Sequence, residues 1–182
     1  MKRVLRSAKI TLITTLTLIS LSTFAQNEAT KPEQTAQDAA EQRVLAPNWT
    51  LENADGEMVS FSDFKGKPTI IHFWGTWCSF CKRLHPGLEK IRAEYESQGL
   101  QIVGISINEP IGAKPAQVLK DRGINFPTLL DGDDVALQDF EIYGTPTTIF
   151  ISAKGEILGA TMESNPDDPR FEKIAQYLVQ TQ

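Results

Sequence analysis

Thr69-Ile70-Ile71-His72-Phe73-Trp74-Gly75-Thr76-Trp77-Cys78-Ser79-Phe80-Cys81 contains the only two cysteines of a 182-residue chain. Its first six residues form an apolar, β-branched and aromatic run that reads as a buried strand. From Ser79 to Ser97 the period becomes helical, with Leu84, Leu88, Ile91 and Tyr95 on one face. The cysteines therefore stand where a strand passes into a helix. Unpaired N–H groups of the first turn and the positive end of the dipole favour a thiolate there. Two cysteines three apart on one helix face are also close enough to close a disulfide. An acidic thiol within reach of a second one is the equipment of disulfide exchange. The blander readings are an inert buried disulfide or half of a zinc site. Zinc would need a second ligand pair, and no further cysteine exists.

Upstream, Lys2, Arg3, Arg6 and Lys9 precede an apolar stretch from Ile10 to Phe24, and Thr23-Phe24-Ala25 has small residues at the −3 and −1 positions. Residues 1–25 thus read as a secretory signal peptide. An uncleaved anchor is the alternative, although the apolar stretch is shorter than the roughly 20 residues a bilayer needs. Disulfides persist in exported proteins, yet no cysteine is left over for a structural one, which points to redox work. Removing the signal takes the net charge from −5 to −9, a poor balance for nucleic acid or anionic membrane surfaces. Residues 26–46 are polar and without period, and read as a flexible leader. Residues 47–182 are long enough to bury one core.

Within that domain, Trp49–Leu51 and Met58–Phe61 flank a Gly-ended turn and read as an N-terminal hairpin. Leu100–Ile107 is a nearly continuous apolar strand, as in a sheet covered on both faces. Helices are expected over Lys114–Arg122, Asp133–Tyr143 and Asp168–Val179. Phe126–Leu130 reads as a short extended segment, and Thr147–Ser152 with Gly155–Thr161 as a hairpin. That order gives an α/β sandwich with a mixed sheet.

The strand, Trp77-Cys78-Ser79-Phe80-Cys81, the helix, Pro86, and the late Gly144-Thr145-Pro146-Thr147-Thr148 together resemble the thioredoxin superfamily. More narrowly they resemble exported TlpA/ResA-like thiol–disulfide oxidoreductases, over residues 47 to about 180. Phe61-Ser62-Asp63-Phe64-Lys65-Gly66-Lys67 and the extra segment from Asn108 to Arg122 fit that subgroup. The resemblance implies a thioredoxin-like three-layer sandwich, a central mixed β-sheet with helices on both faces and an N-terminal β-hairpin. It implies an exposed nucleophilic Cys78, a more buried resolving Cys81, and no cofactor or metal. It also implies a cis bond before Pro146, with Trp77, Thr145 and Pro146 offering the surface and backbone on which a substrate chain lies.

Departures from the pattern bear on function. Phe80 adds no polar stabilisation to a Cys78 thiolate, so strong oxidising power is not expected. Leu84 occupies the place of a glutamate in ResA-like chains, and its help in proton transfer is missing. His72 stands where thioredoxin has a buried aspartate, and an imidazole near its ordinary pKa could take the Cys81 proton. The alternative is a strand histidine satisfied by backbone or water. His85 is expected exposed or packed beside Pro86, in a structural role. Taken together, the resemblance suggests a periplasmic protein-disulfide reductase. It would act on protein thiols and disulfides, with cytochrome c precursors as client class and a membrane donor of the DsbD/CcdA type. The chain would touch the membrane only through an uncleaved signal, as an anchored form facing outward. A Dsb-type oxidase or isomerase is the second reading, and a non-catalytic Cu(I) carrier using both thiolates is the third.

Overall fold

A computed structural model describes residues 44–182; residues 1–25, read above as a signal peptide, and most of those read as a leader lie outside the described residues. Strands β1 (Thr50–Glu52) and β2 (Met58–Ser60) form an antiparallel hairpin. The Ser60 N–H then donates to the Asp63 carboxylate at 2.8 Å and starts the single helical turn Phe61–Phe64. The main sheet contains β3 (Thr69–Trp74), β4 (Gln101–Ser106), β5 (Thr128–Leu129), β6 (Thr147–Ile151) and β7 (Ile157–Thr161), in the order β5-β4-β3-β6-β7. β3, β4 and β5 are parallel, whereas β6 and β7 are antiparallel, which makes the sheet mixed.

β3 is the central strand and every residue of it is buried, which is why it reads as an unbroken apolar run. Its alternation divides the core. Ile70 and Trp74 point toward helix α1 (Ser79–Tyr95) and helix α3 (Pro169–Gln180), with Leu84, Leu88, Ile91, Phe171 and Leu178. Leu119 of α2 (Pro115–Asp121) joins the same cluster. Ile71 and Phe73 point the other way, into a layer made by the hairpin, the turn at Phe61 and the segment around Val135. Asp168 caps α3 by accepting from the Arg170 N–H at 2.9 Å. The fold is the mixed α/β thioredoxin-like sandwich with its N-terminal hairpin.

One expected element differs. The helix expected over Asp133–Tyr143 is a single wide turn, Val135–Asp139, closed by Phe140 N–H to Val135 O. Glu141 then takes a φ of +53°, and the Ile142 N–H bonds back to Ala136 O at 2.7 Å. The widening brings Ile142 inward beside Val135 and Ala136, and burying it outweighs regular helical bonding. Folded contacts also begin earlier than residue 47. Leu45 bridges Glu156, and Ala46 N–H and Val44 O bond to Gly155 and Ile157 at the β6–β7 turn.

Candidate functional site

The end of β3 delivers the chain to the tip of α1. Cys78 is the N-cap residue with extended backbone, and its Sγ accepts a hydrogen bond from the Cys81 N–H at 3.0 Å. That bond uses one of the amides a helix start leaves free, and it is the contact that would hold a thiolate. Cys78 and Cys81 are joined as a disulfide with Cα atoms 5.3 Å apart. Cys78 is 4% exposed and Cys81 0%, so the expected order of accessibility is kept but Cys78 is not openly exposed. In the oxidised pair its sulfur is folded into the cluster of Ile70 and Trp74. What lies open is the apolar flank: Trp77 is 53% exposed and Phe80 55%, with the Arg83 guanidinium 4.9 Å from the Phe80 ring centre.

The turn before Cys78 is clamped from the next strand. Glu109, just past β4, accepts from the Thr76 N–H at 2.8 Å and the Thr76 hydroxyl at 2.5 Å. The Trp77 indole lies over Gly75, where a Cβ would stand 2.4 Å from Nε1, and that Nε1 donates to Ile107 O at 3.4 Å. Glu109 was not visible as a site residue in the sequence, because its partner is far away along the chain. Glu109→Ala is expected to cost about 1–3 kcal/mol by leaving the half-buried Thr76 donors unpaired. Urea unfolding together with hydrogen exchange at the Thr76 amide checks this; an unchanged midpoint and unchanged exchange would show that no clamp exists.

Opposite the cysteines, β6 pairs with β3 in the register Phe73↔Thr147, which brings Pro146 level with Trp74. The Thr145–Pro146 bond is cis, and the Thr147 hydroxyl donates to Gly144 O at 2.7 Å. Among the described residues the buried Thr145 hydroxyl has no hydrogen-bond partner.

Beneath the motif lies a ring cluster that the sequence did not announce. His85, expected at the surface or beside Pro86, is 1% exposed. Its ring meets His72, Trp74 and Phe126 edge-on, with centroids 5.3, 5.0 and 5.7 Å away. The helix face that carries Leu84 and Leu88 also carries His85, so the packing of α1 on β3 drives it inward. Room for the rings comes from Gly104 of β4, where a Cβ would stand 2.9 Å from Trp74 Nε1 and 3.3 Å from Phe126. Trp74 Nε1 instead reaches the Thr128 hydroxyl at 3.0 Å.

His72 is fully buried, and its Nδ1 lies 3.0 Å from the Thr148 hydroxyl. Burial, and then the neighbouring His85, hold its pKa well below 6.5, which corrects the expectation of an ordinary value. Burial and then Arg122 lower that of His85 from 6.5 to about 4. Both rings are neutral above pH 6.5 in the folded and unfolded chain alike. Below it, the unfolded chain binds protons that the folded chain refuses, so stability falls as pH drops from 6.5 toward 4. His85 alone accounts for a loss of about 2 kcal/mol at pH 5. Urea midpoints at pH 7 and pH 5 test this, and a flat profile that His85→Asn leaves unaltered would contradict a neutral buried pair.

The chain matches the AhpC/TSA family over residues 43–159. It is 36% identical over 113 residues to the thiol-disulfide oxidoreductase ResA of Bacillus subtilis (strain 168), covering 62% of this chain and 63% of that protein. Its identity with the ResA of Geobacillus kaustophilus is 31% over 133 residues, covering 71% of this chain and 75% of the relative. Its fold is similar to the crystal structure of a thioredoxin-family thiol:disulfide interchange protein from Chlorobium tepidum TLS. That likeness has a TM-score of 0.67 at 26% identity, over 76% of this chain and 97% of the other.

Proposed function

We propose that this chain, which belongs to the AhpC/TSA family, is an exported thiol–disulfide oxidoreductase that reduces protein disulfides through a Cys78/Cys81 dithiol–disulfide cycle. The observation that carries the proposal is the disulfide at the tip of α1, with the Cys78 sulfur held by the Cys81 amide. In the reduced chain that amide and the helix end lower the cost of a thiolate on Cys78. This thiolate attacks a substrate disulfide and forms a mixed disulfide; Cys81 then attacks Cys78 and releases the reduced substrate. The substrate chain lies along the Thr145-Pro146 loop, with Trp77 as its apolar contact. The ResA relatives support the activity, and the apolar Phe80 between the cysteines supports a reductant rather than an oxidant.

The signal read in residues 1–25 supports a periplasmic location, with an outward-facing membrane-anchored form if it stays uncut. Among the described residues no helix is long and apolar enough to cross a membrane. A DsbD/CcdA-type membrane protein as donor and cytochrome c maturation-type clients fit a reductase of this class. The reduction potential of the Cys78–Cys81 pair tests the direction of flow. A value near or below about −270 mV supports the reductase, whereas one near about −120 mV overturns it in favour of a Dsb-type oxidase.

A further inference from the structure

We propose that His85 is the base for the resolving step, taking the Cys81 proton as Cys81 attacks the mixed disulfide, with His72 holding the ring in place. The proposal rests on the oxidoreductase reading above and assigns one residue within it.

Cys81 and His85 are four residues apart on α1 and both are buried. Side chains at that spacing occupy successive turns of one helix face, with Cβ atoms about 5–6 Å apart. Trp74 belongs to the same buried cluster as Cys81 and meets the His85 ring at 5.0 Å. Among the described residues neither His85 nitrogen has a hydrogen-bond partner. Buried polar groups are nearly always bonded, and two unpaired nitrogens are a costly way to fill space that a leucine or phenylalanine could fill. His72 is placed differently, with Nδ1 engaged by Thr148 and only Nε2 unpaired. In the reduced chain the Cys81 S–H is the polar hydrogen that α1 itself brings to the His85 ring.

The charges around the ring explain why the proton would not stay. Arg122, at the end of α2, acts on His85, and its buried Nη1 has no partner among the described residues. His72 faces it from β3, and Trp74 and Phe126 are apolar walls. Glu89, one turn further along α1, is committed to Arg92 and Asn125. An imidazolium is therefore tolerated only while a Cys81 thiolate stands beside it.

The step balances as follows. Cys78 Sγ is bonded to a substrate sulfur, and the Cys81 proton passes to His85. The Cys81 thiolate attacks Cys78 Sγ, the Cys78–Cys81 bond forms, and the bond to the substrate breaks with its electron pair leaving on the substrate sulfur. Over the cycle the protein dithiol loses two electrons and the substrate disulfide gains them. His85 then gives its proton to the departing thiolate or to solvent.

The test begins with the wild-type chain, with ¹⁵N-labelled histidine, titrated oxidised and reduced. One His85 ring nitrogen is expected to shift at pH 7 on reduction, as it gains the Cys81 S–H; identical ring ¹⁵N shifts in the two states overturn the proposal without any variant. Kinetics supply the second arm, with glutathione disulfide as substrate. His85→Asn is expected to slow resolution of the Cys78–glutathione adduct about 100-fold at pH 7, the lower end for a lost general base. Its rate should climb about tenfold per pH unit where the wild type is nearly flat. Iodoacetamide alkylation of reduced Cys78 should change less than twofold. Wild-type resolution in His85→Asn, or equal slowing of attack and resolution, overturns the role. Wild-type dithiol that does not react with glutathione disulfide overturns the oxidoreductase reading itself, and this inference with it.

Discussion

Cys78→Ser is expected to abolish disulfide reduction, a loss on the order of 10⁴-fold or more, while leaving the fold intact. Serine keeps the N-cap preference for a side chain that accepts from the helix amides, so α1 should start as before. It removes the one sulfur held at the helix tip by the Cys81 N–H. A hydroxyl is not ionised near neutrality, whereas a thiol in this position is partly thiolate, and only the thiolate attacks. Cys81→Ser should separate the two roles. Cys78 still attacks, but nothing resolves the product, so the substrate stays attached through residue 78. Intact-mass measurement after exposure to glutathione disulfide distinguishes the two variants: an adduct on Cys81→Ser and none on Cys78→Ser. Adducts forming through Cys81 instead would reverse the assignment, and the burial of Cys81 argues against that outcome.

Gly87→Ala is expected to destabilise the domain by about 2–3 kcal/mol and lower its Tm by roughly 10 °C. In an ordinary helix interior this exchange gains about 1 kcal/mol, because alanine is the better helix former. Here the sign reverses. A β-carbon at Gly87 would stand 2.4 Å from Pro166 O and 2.8 and 2.9 Å from its Cα and carbonyl carbon. Those are backbone atoms, just before Asp168 and the start of α3, and they cannot rotate away as a side chain could. Relief requires pushing α3 off α1 and opening the layer that holds Leu88 and Phe171. Thermal unfolding followed by circular dichroism measures the shift. A rise in Tm would mean that the two segments approach each other less closely than described.

Much of this was legible in the sequence because it is local. The change of period between Trp74 and Ser79 marked the strand–helix junction, and glycines at turn positions marked the hairpins. Cys78 and Cys81 could be placed at the helix start because they fall at that change of period. What stayed hidden depends on partners far apart along the chain. Glu109 meets Thr76 only because β4 runs parallel to β3 and ends at the same side of the sheet. His85 lies on the same helix face as Leu84 and Leu88, so its position was available, but its polarity suggested solvent. Only the crossing of α1 over Trp74, with Phe126 also against the ring, turns that face into core. The wide turn at Val135 has an apolar spacing indistinguishable from that of a short helix, and the burial of Ile142 decides between them.

The β6–β7 turn, where Val44–Ala46 attach, sits beyond Ile151, which pairs with Thr69 at the start of β3. Gln182 reaches Gln98 O near the start of β4, at that same edge. Both ends of the described chain therefore leave from one pole, and the sulfurs occupy the other, about 20 Å away along a six-residue strand. A tether at either terminus would grip the domain by its back and leave the thiol pole facing outward to meet bulky clients.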